Sequence, residues 1–165
     1  MHARYAANVD QSNHRTRQIG ALPLLLKPDG GFDLCLVTTR GGGRWIIPKG
    51  NPIAGLAPRE VAAREAREEA GLIGQVGRSC IGSFALARRR EGRDEICDID
   101  VFALFVERRL ERWAEAHERS VLRCDPARAV ALVRLPGLAA IIEDYVGSLS
   151  ARPLRRGAAR FAQRG

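Results

Sequence analysis

The chain has 165 residues, 45% of them hydrophobic and 28% charged, which suits one domain with a real core. No run approaches the ~18 uninterrupted apolar residues of a transmembrane helix, and the N-terminus MHARYAANVDQSNHRTRQ has no apolar stretch of the kind a secretory signal carries. The net charge of +8 suggests a nucleic-acid partner, but most of it lies at the ends: three arginines against Asp10 in residues 1–18, five arginines and no acid in 149–165, and a net +1 between them.

Ile19 to Leu26 is apolar and contains Pro23, which predicts an edge or bulged strand. Lys27-Pro-Asp-Gly-Gly is a turn, and Phe32 to Thr39 is a second strand that pairs with the first as a hairpin. A flexible loop, Arg40-Gly-Gly-Gly-Arg, leads to a short buried strand, Trp45-Ile-Ile, stopped by Pro48, and a loop from Lys49 to Ala57 follows. Pro58 suits the first turn of a helix and Gly71 its stop. Ile81 to Arg88 and Ile96 to Val106 predict two strands joined by the charged loop RRREGRDE. Glu107 to Ser120 is a charged connection with helical character, Val121 to Cys124 a short strand, and Pro126 to Val133 and Leu138 to Leu149 two more helices. The fold class is therefore α/β with a mixed sheet.

Three parts follow from the composition: a flexible N-terminal segment (1–18), a folded domain (19–148) and a basic, disordered tail (149–165). Basic ends are ordinarily solvated; they would also add salt-sensitive attraction to RNA or polyphosphate. The tail has a single aromatic, Phe161, so stacking on single-stranded bases has little support. Cys35, Cys80, Cys97 and Cys124 form no C-x-x-C pair and have no histidine at a zinc spacing. Free thiols in a reducing cytoplasm are the plain reading, with two bridges in a secreted protein as the alternative.

The helix PREVAAREAREEAG, residues 58–71, raises the main question. At ~100° per residue, Glu65, Glu68 and Glu69 fall within an arc of ~100°, and Ala62, Ala63, Ala66 and Ala70 fill the adjoining arc. Small alanines let the helix lie close to a sheet, so the carboxylates face a shared space beside it. Glu60–Arg64 and Arg64–Glu68 pairs on a solvated face would explain the charges alone. Convergence on a hard divalent ion such as Mg²⁺ or Mn²⁺ would explain the clustering.

The preceding residues, PKGNPIAGL at 48–56, favour the second explanation. Together with the helix they resemble the signature of the Nudix hydrolases, G-x5-E-x7-R-E-U-x-E-E-x-G-U, where U is a bulky aliphatic residue. Gly50 takes the first glycine, Arg64-Glu65 the R-E pair, Glu68-Glu69 the E-E pair and Gly71-Leu72 the close, without a gap over 23 positions. Two positions depart. Leu56 stands where the signature has its first glutamate, which leaves the number of metals open, with Glu60 one turn before Arg64 as a partial substitute. Ala66 replaces the bulky residue. The same text, with the later stretch ERWAEAHERSVLRCDPARAVALV, is also similar to the diphosphoinositol polyphosphate and diadenosine polyphosphate hydrolases of the family.

The resemblance implies an α/β/α sandwich and metal-dependent hydrolysis of a pyrophosphate link in a nucleoside diphosphate joined to another moiety. Glu65, Glu68 and Glu69 would hold Mg²⁺ or Mn²⁺, aided by the Gly50 carbonyl, with Arg64 orienting the glutamates. The general base is Glu69 or Glu65, or an acid outside the signature: Glu91, Glu95, Glu107 or Glu118. Arg40, Arg44, Lys49, Arg88, Arg90 and Arg119 are the candidates for binding substrate phosphates, with Arg89, Arg93 and Arg123 as further ones. Trp45 is a core residue, with stacking on an adenine as the alternative. The histidines are isolated, and there is neither a nucleophile triad nor a Walker-type phosphate loop. Two other readings stand beside the hydrolase: a binding module whose turnover Leu56 has crippled, and an RNA-associated pyrophosphohydrolase recruited by its basic ends. The expected partner is a small phosphorylated molecule, with no membrane, and the protein a monomer or homodimer.

Overall fold

Ten elements follow one another in the computed structural model, which describes residues 14–90 and 92–151 and side chains over 15–89 and 92–151. They are β1 (His14–Leu26), β2 (Phe32–Thr38), β3 (Trp45–Ile46), β4 (Lys49–Gly50), α1 (Pro58–Ala70), β5 (Leu72–Arg90), β6 (Arg93–Arg109), β7 (Val121–Cys124), α2 (Pro126–Val133) and α3 (Pro136–Ser150). The strands form one mixed sheet in the order β3-β2-β1-β6-β5, with β4 added to β1 and β7 to β2. β1 and β6 run parallel from His14↔Glu95 to Leu24↔Phe105, and the other pairs are antiparallel.

Burial shows why helices cover both faces. Residues 18–24 of β1, 34–38 of β2 and 101–104 of β6 are buried without alternation, as strands are when both sides of the sheet are packed. α1 packs on β1, β4 and β5, while α2 and α3 pack on each other and reach β2 and β5. The result is an α/β/α sandwich. Leu22, Leu36, Ile47, Ile99 and Leu104 are among its fully buried side chains.

The sheet corrects several sequence expectations. β1 is central, not an edge, and Pro23 is tolerated for a geometric reason. Ala21 donates its N–H to Pro48 O on the β4 side, and position 23 has the same parity. It falls between the β4 partners Ile19 and Gly20 and the β2 partners that begin at Leu24, so no ladder bond is lost. β1 also begins at His14 and α3 runs to Ser150, so residues 14–18 and 149–150 lie in regular structure; residues 1–13 and 152–165 are outside the described part. Lys49–Gly50 is a strand rather than loop. The charged loop RRREGRDE is mostly strand, because Arg88 faces Glu95 and Arg89 faces Asp94 across the hairpin, and opposite charges directly opposed support pairing. The 110–120 connection is irregular, without a helix.

All four cysteines are free thiols; Cys80 is exposed, and Cys35, Cys97 and Cys124 are buried. Burial pushes the Cys35 thiol up to about 11. Under native conditions at mildly alkaline pH a thiol reagent should therefore modify one cysteine quickly, and peptide mapping should identify it as Cys80. Rapid native labelling of Cys35 would contradict this core.

Candidate active site

α1 brings the three signature glutamates to one cleft. Pro58 opens the helix, and Gly71 ends it in the left-handed conformation (φ 69°), where a glycine is needed. Ala62, Ala66 and Ala70 are fully buried against the sheet, and the small side chains hold the axis close to it. Gly50 lies beneath the helix in β4: a methyl group there would overlap the Glu65 carboxylate. The first glycine of the signature is thus required by the close approach of a carboxylate to the backbone. Glu65 is half-buried, and burial, then the neighbouring charges of Glu68 and Glu115, raise its pKa above the usual carboxylate range.

Glu69 is only 3% exposed. Its carboxylate meets the Arg119 guanidinium at 2.6 Å and accepts the Lys49 backbone N–H at 3.2 Å. Burial pushes its pKa up to about 7, against the pull of Arg119 and of that N–H. Arg119 also donates to Glu115 and, at 2.8 Å, to the Thr38 carbonyl. Glu68 is half-buried and accepts from Arg64 at 2.8 Å, so Arg64 steadies this carboxylate from the helix surface.

The cleft has a volume of about 490 Å³ and is lined by four cations (Arg40, Lys49, Arg88, Arg119) and four carboxylates (Glu65, Glu68, Glu69, Glu115). Lys49 Nζ donates to Gln18 Oε1 at 3.0 Å, and Gln18 Nε2 to Asn51 Oδ1 at 3.1 Å. Burial lowers the Lys49 pKa, with Glu69 pulling the other way. Arg40 pairs with Glu115 at 2.7 Å and Glu118 at 3.1 Å. Arg88 pairs with Glu95 and donates to Thr16 Oγ1 at 3.3 Å.

Other expected residues fall elsewhere. Arg44 is exposed in its loop and does not line the cleft. Arg119 lines it, but its guanidinium is committed to the chain's own oxygens rather than offered to a substrate, because the buried Glu69 requires a counter-charge. Arg123 pairs with Asp33 at 2.7 Å. Glu95 is buried beside Arg88, and Glu107 accepts from Gln75 at 2.9 Å; neither lines the cleft. The Arg90 side chain and Glu91 lie outside the described residues. Trp45 packs half-buried against the core. Leu56 is 39% exposed. Glu60 does not take the place of the missing glutamate, because its carboxylate accepts the Ala57 N–H at 2.7 Å and so caps α1.

Gln18, Asn51 and Glu115 are among the cleft residues that sequence reasoning missed. Gln18 had a signal, a long polar side chain opening an apolar strand. Glu115 had none, being one acid among many in a charged stretch. It sits below the ordinary carboxylate range: burial pushes it up, but hydrogen bonds from Arg119 and Arg40 outweigh that.

Among the described residues no three carboxylate, histidine or cysteine groups form a ready-made metal cage, because Glu68 is turned to Arg64 and Glu69 to Arg119. In kind the donors fit a hard divalent cation. They are all oxygens, and burial together with mutual repulsion raises Glu65, a cost that a cation would relieve.

Residues 16–136 match the family model described as the NUDIX domain. Nudix hydrolase 18, mitochondrial, of Arabidopsis thaliana is 30% identical over 122 residues, covering 69% of this chain and 68% of its own. In fold the chain is similar to a C. elegans Ap4A hydrolase binary complex, with TM-score 0.62 and 16% identity over 83% of this chain and 99% of that one. It is equally similar to a NUDIX hydrolase from Nitrosomonas europaea, with TM-score 0.62 and 18% identity over 81% and 90%.

Two substitutions probe this geometry. Gly50→Ala should displace Glu65 and weaken the affinity for a divalent cation, read by calorimetry, about 10-fold or more, while circular dichroism stays unchanged. Arg119→Gln should lower unfolding free energy by about 3 kcal/mol, because it strands a buried carboxylate; denaturant titration measures this, and a loss within error would show that the pair is dispensable.

Proposed function

The chain belongs to the Nudix hydrolase family, and from that premise we propose that it hydrolyses a pyrophosphate link in a polyphosphorylated substrate with the help of a divalent cation, Mg²⁺ or Mn²⁺. One observation carries the reading: the four cations and four carboxylates of the cleft cancel in formal charge. A cleft of zero net formal charge attracts a polyphosphate far less than one that carries additional positive charge. Added divalent charge at Glu65, Glu68 and Glu69 makes it attractive, and the remaining cations can then engage phosphate oxygens.

The roles follow from the contacts. Glu65, Glu68 and Glu69 would hold the cation, with Gly50 leaving room for Glu65. The cation, when bound, supplies charge neutralisation on the phosphate oxygens. Arg64 steadies Glu68, and Arg119 with the Lys49 N–H holds Glu69. Lys49, whose Nζ has only the neutral Gln18 as partner among the described residues, is the first cation for the remaining phosphates, and Arg40 and Arg88 would join it by exchanging their present carboxylate partners for phosphate oxygens. Water attacks phosphorus, the anhydride P–O bond breaks, and a cleft carboxylate takes the proton. A substrate with several phosphates uses all three cations. That favours diadenosine polyphosphates or diphosphoinositol polyphosphates over a single-anhydride nucleotide, and the fold it shares with an Ap4A hydrolase supports the former.

The test is a substrate panel of diadenosine polyphosphates, diphosphoinositol polyphosphates, nucleoside diphosphate sugars, NADH and nucleoside triphosphates, each with Mg²⁺, Mn²⁺ and EDTA. Cleavage should require the metal and fall at least ~100-fold in Glu68→Gln/Glu69→Gln. Lys49→Ala should raise KM more than it lowers kcat. Retained ligand binding with no cleavage of any member would replace the enzyme reading with the binding-module one.

A further inference from the structure

A second cavity, of about 740 Å³, lies on the other side of α1. Its apolar wall includes Ala63, Leu72, Leu104 and Leu110, and Arg67 and Arg112 stand in its polar part. Among the described residues neither arginine has an ion-pair partner. Trp113 completes the wall. Its indole is held in place: Gly71 lies so close beneath it that a methyl group there would come within 2.7 Å of the ring. The Arg109 guanidinium sits 4.9 Å from the ring centroid. Yet the Trp113 Nε1–H is buried without a hydrogen-bond partner, the one such side-chain atom among the described residues.

An apolar wall and two uncommitted cations share one cavity, and the volume lies within the ~300–1,000 Å³ range of small-molecule pockets. We propose that this cavity is a ligand site, separate from the catalytic cleft, for a small amphipathic anion: an apolar ring or chain bearing a carboxylate, sulfonate or phosphate. The anionic group meets Arg67 and Arg112, and the apolar part lies on Leu72, Leu104, Leu110 and the Trp113 ring. Its position gives it a role. Glu68 lines both cavities and Arg64 holds it, so an anion here sits against the ion pair that steadies a signature glutamate.

The probe is 1-anilinonaphthalene-8-sulfonate, titrated by fluorescence and by the two tryptophan indole N–H resonances, with Trp45→Phe assigning them. The Trp113 resonance should shift as the naphthalene ring comes to lie beside the indole, and that of Trp45 should stay. Arg67→Glu/Arg112→Glu should raise the dissociation constant at least about tenfold with hydrolysis unchanged in the absence of the probe. Ala63→Trp, which fills the cavity without changing charge, should do the same. Competition by decanoate or by phenyl phosphate separates a carboxylate chain from an aryl phosphate as the natural class. An unmoved Trp113 resonance, or unchanged affinity in both variants, would overturn the site.

Discussion

A carboxylate taken out of water holds this protein's site together. Removing Glu69 from solvent costs several kcal/mol unless it is paired and hydrogen-bonded, and the partners that meet this need come from three places in the chain. Arg119 arrives from the segment after β6, the Lys49 N–H from β4, and Arg119 is in turn fixed by the Thr38 carbonyl at the end of β2. One buried charge thereby fixes α1 against the sheet and fastens the 110–120 connection over the cleft. The same connection carries Glu115, which reaches the cleft because Arg119 and Arg40 hold it there.

α1 serves three neighbours at once, and its residue types sort by direction. Ala62, Ala66 and Ala70 meet the sheet, where any larger side chain would lift the helix and open the contact between Gly50 and Glu65, whereas Ala63, expected on the same arc, does not. The glutamate arc faces the cleft. Ala63, Arg64 and Arg67 turn to the outer cavity, with Trp113 above Gly71 closing the C-terminal end. Ala66, where the signature has a bulky residue, belongs to this sorting, since it is fully buried against the sheet. The loss of the first signature glutamate is not made good within the helix, because Glu60 is occupied in capping the first turn. The cleft acid that lies outside the signature, Glu115, comes from a distant part of the chain.

Much of the fold was legible in local pattern. The Pro58-to-Gly71 helix, the Val121–Cys124 strand and the two C-terminal helices stand where turn chemistry and apolar spacing put them. Three of the errors share one cause. Pro23 read as an edge signal, RRREGRDE as a loop and Lys49–Gly50 as irregular, because each depends on what lies opposite in the sheet. Pro23 is harmless at the place where β1 passes from one partner strand to another, the arginines and acids become strand when they oppose one another, and Lys49–Gly50 pairs with residues about thirty positions earlier.

The chemistry of the site was written in the chain at fixed spacing: a glycine, an R-E pair, an E-E pair and a closing glycine suffice to place three carboxylates on one face of a helix, because helical geometry is local. Which cations face those carboxylates was not. Arg44 looked as well placed as Arg40, and Arg119 stood with them as a candidate for binding phosphate rather than as the partner of Glu69; nothing in their neighbours distinguishes them. Their roles depend on distances between residues tens of positions apart, set when a buried carboxylate selects its partner. Charge at one position is a local property, whereas desolvation and pairing exist only once the chain has closed around them.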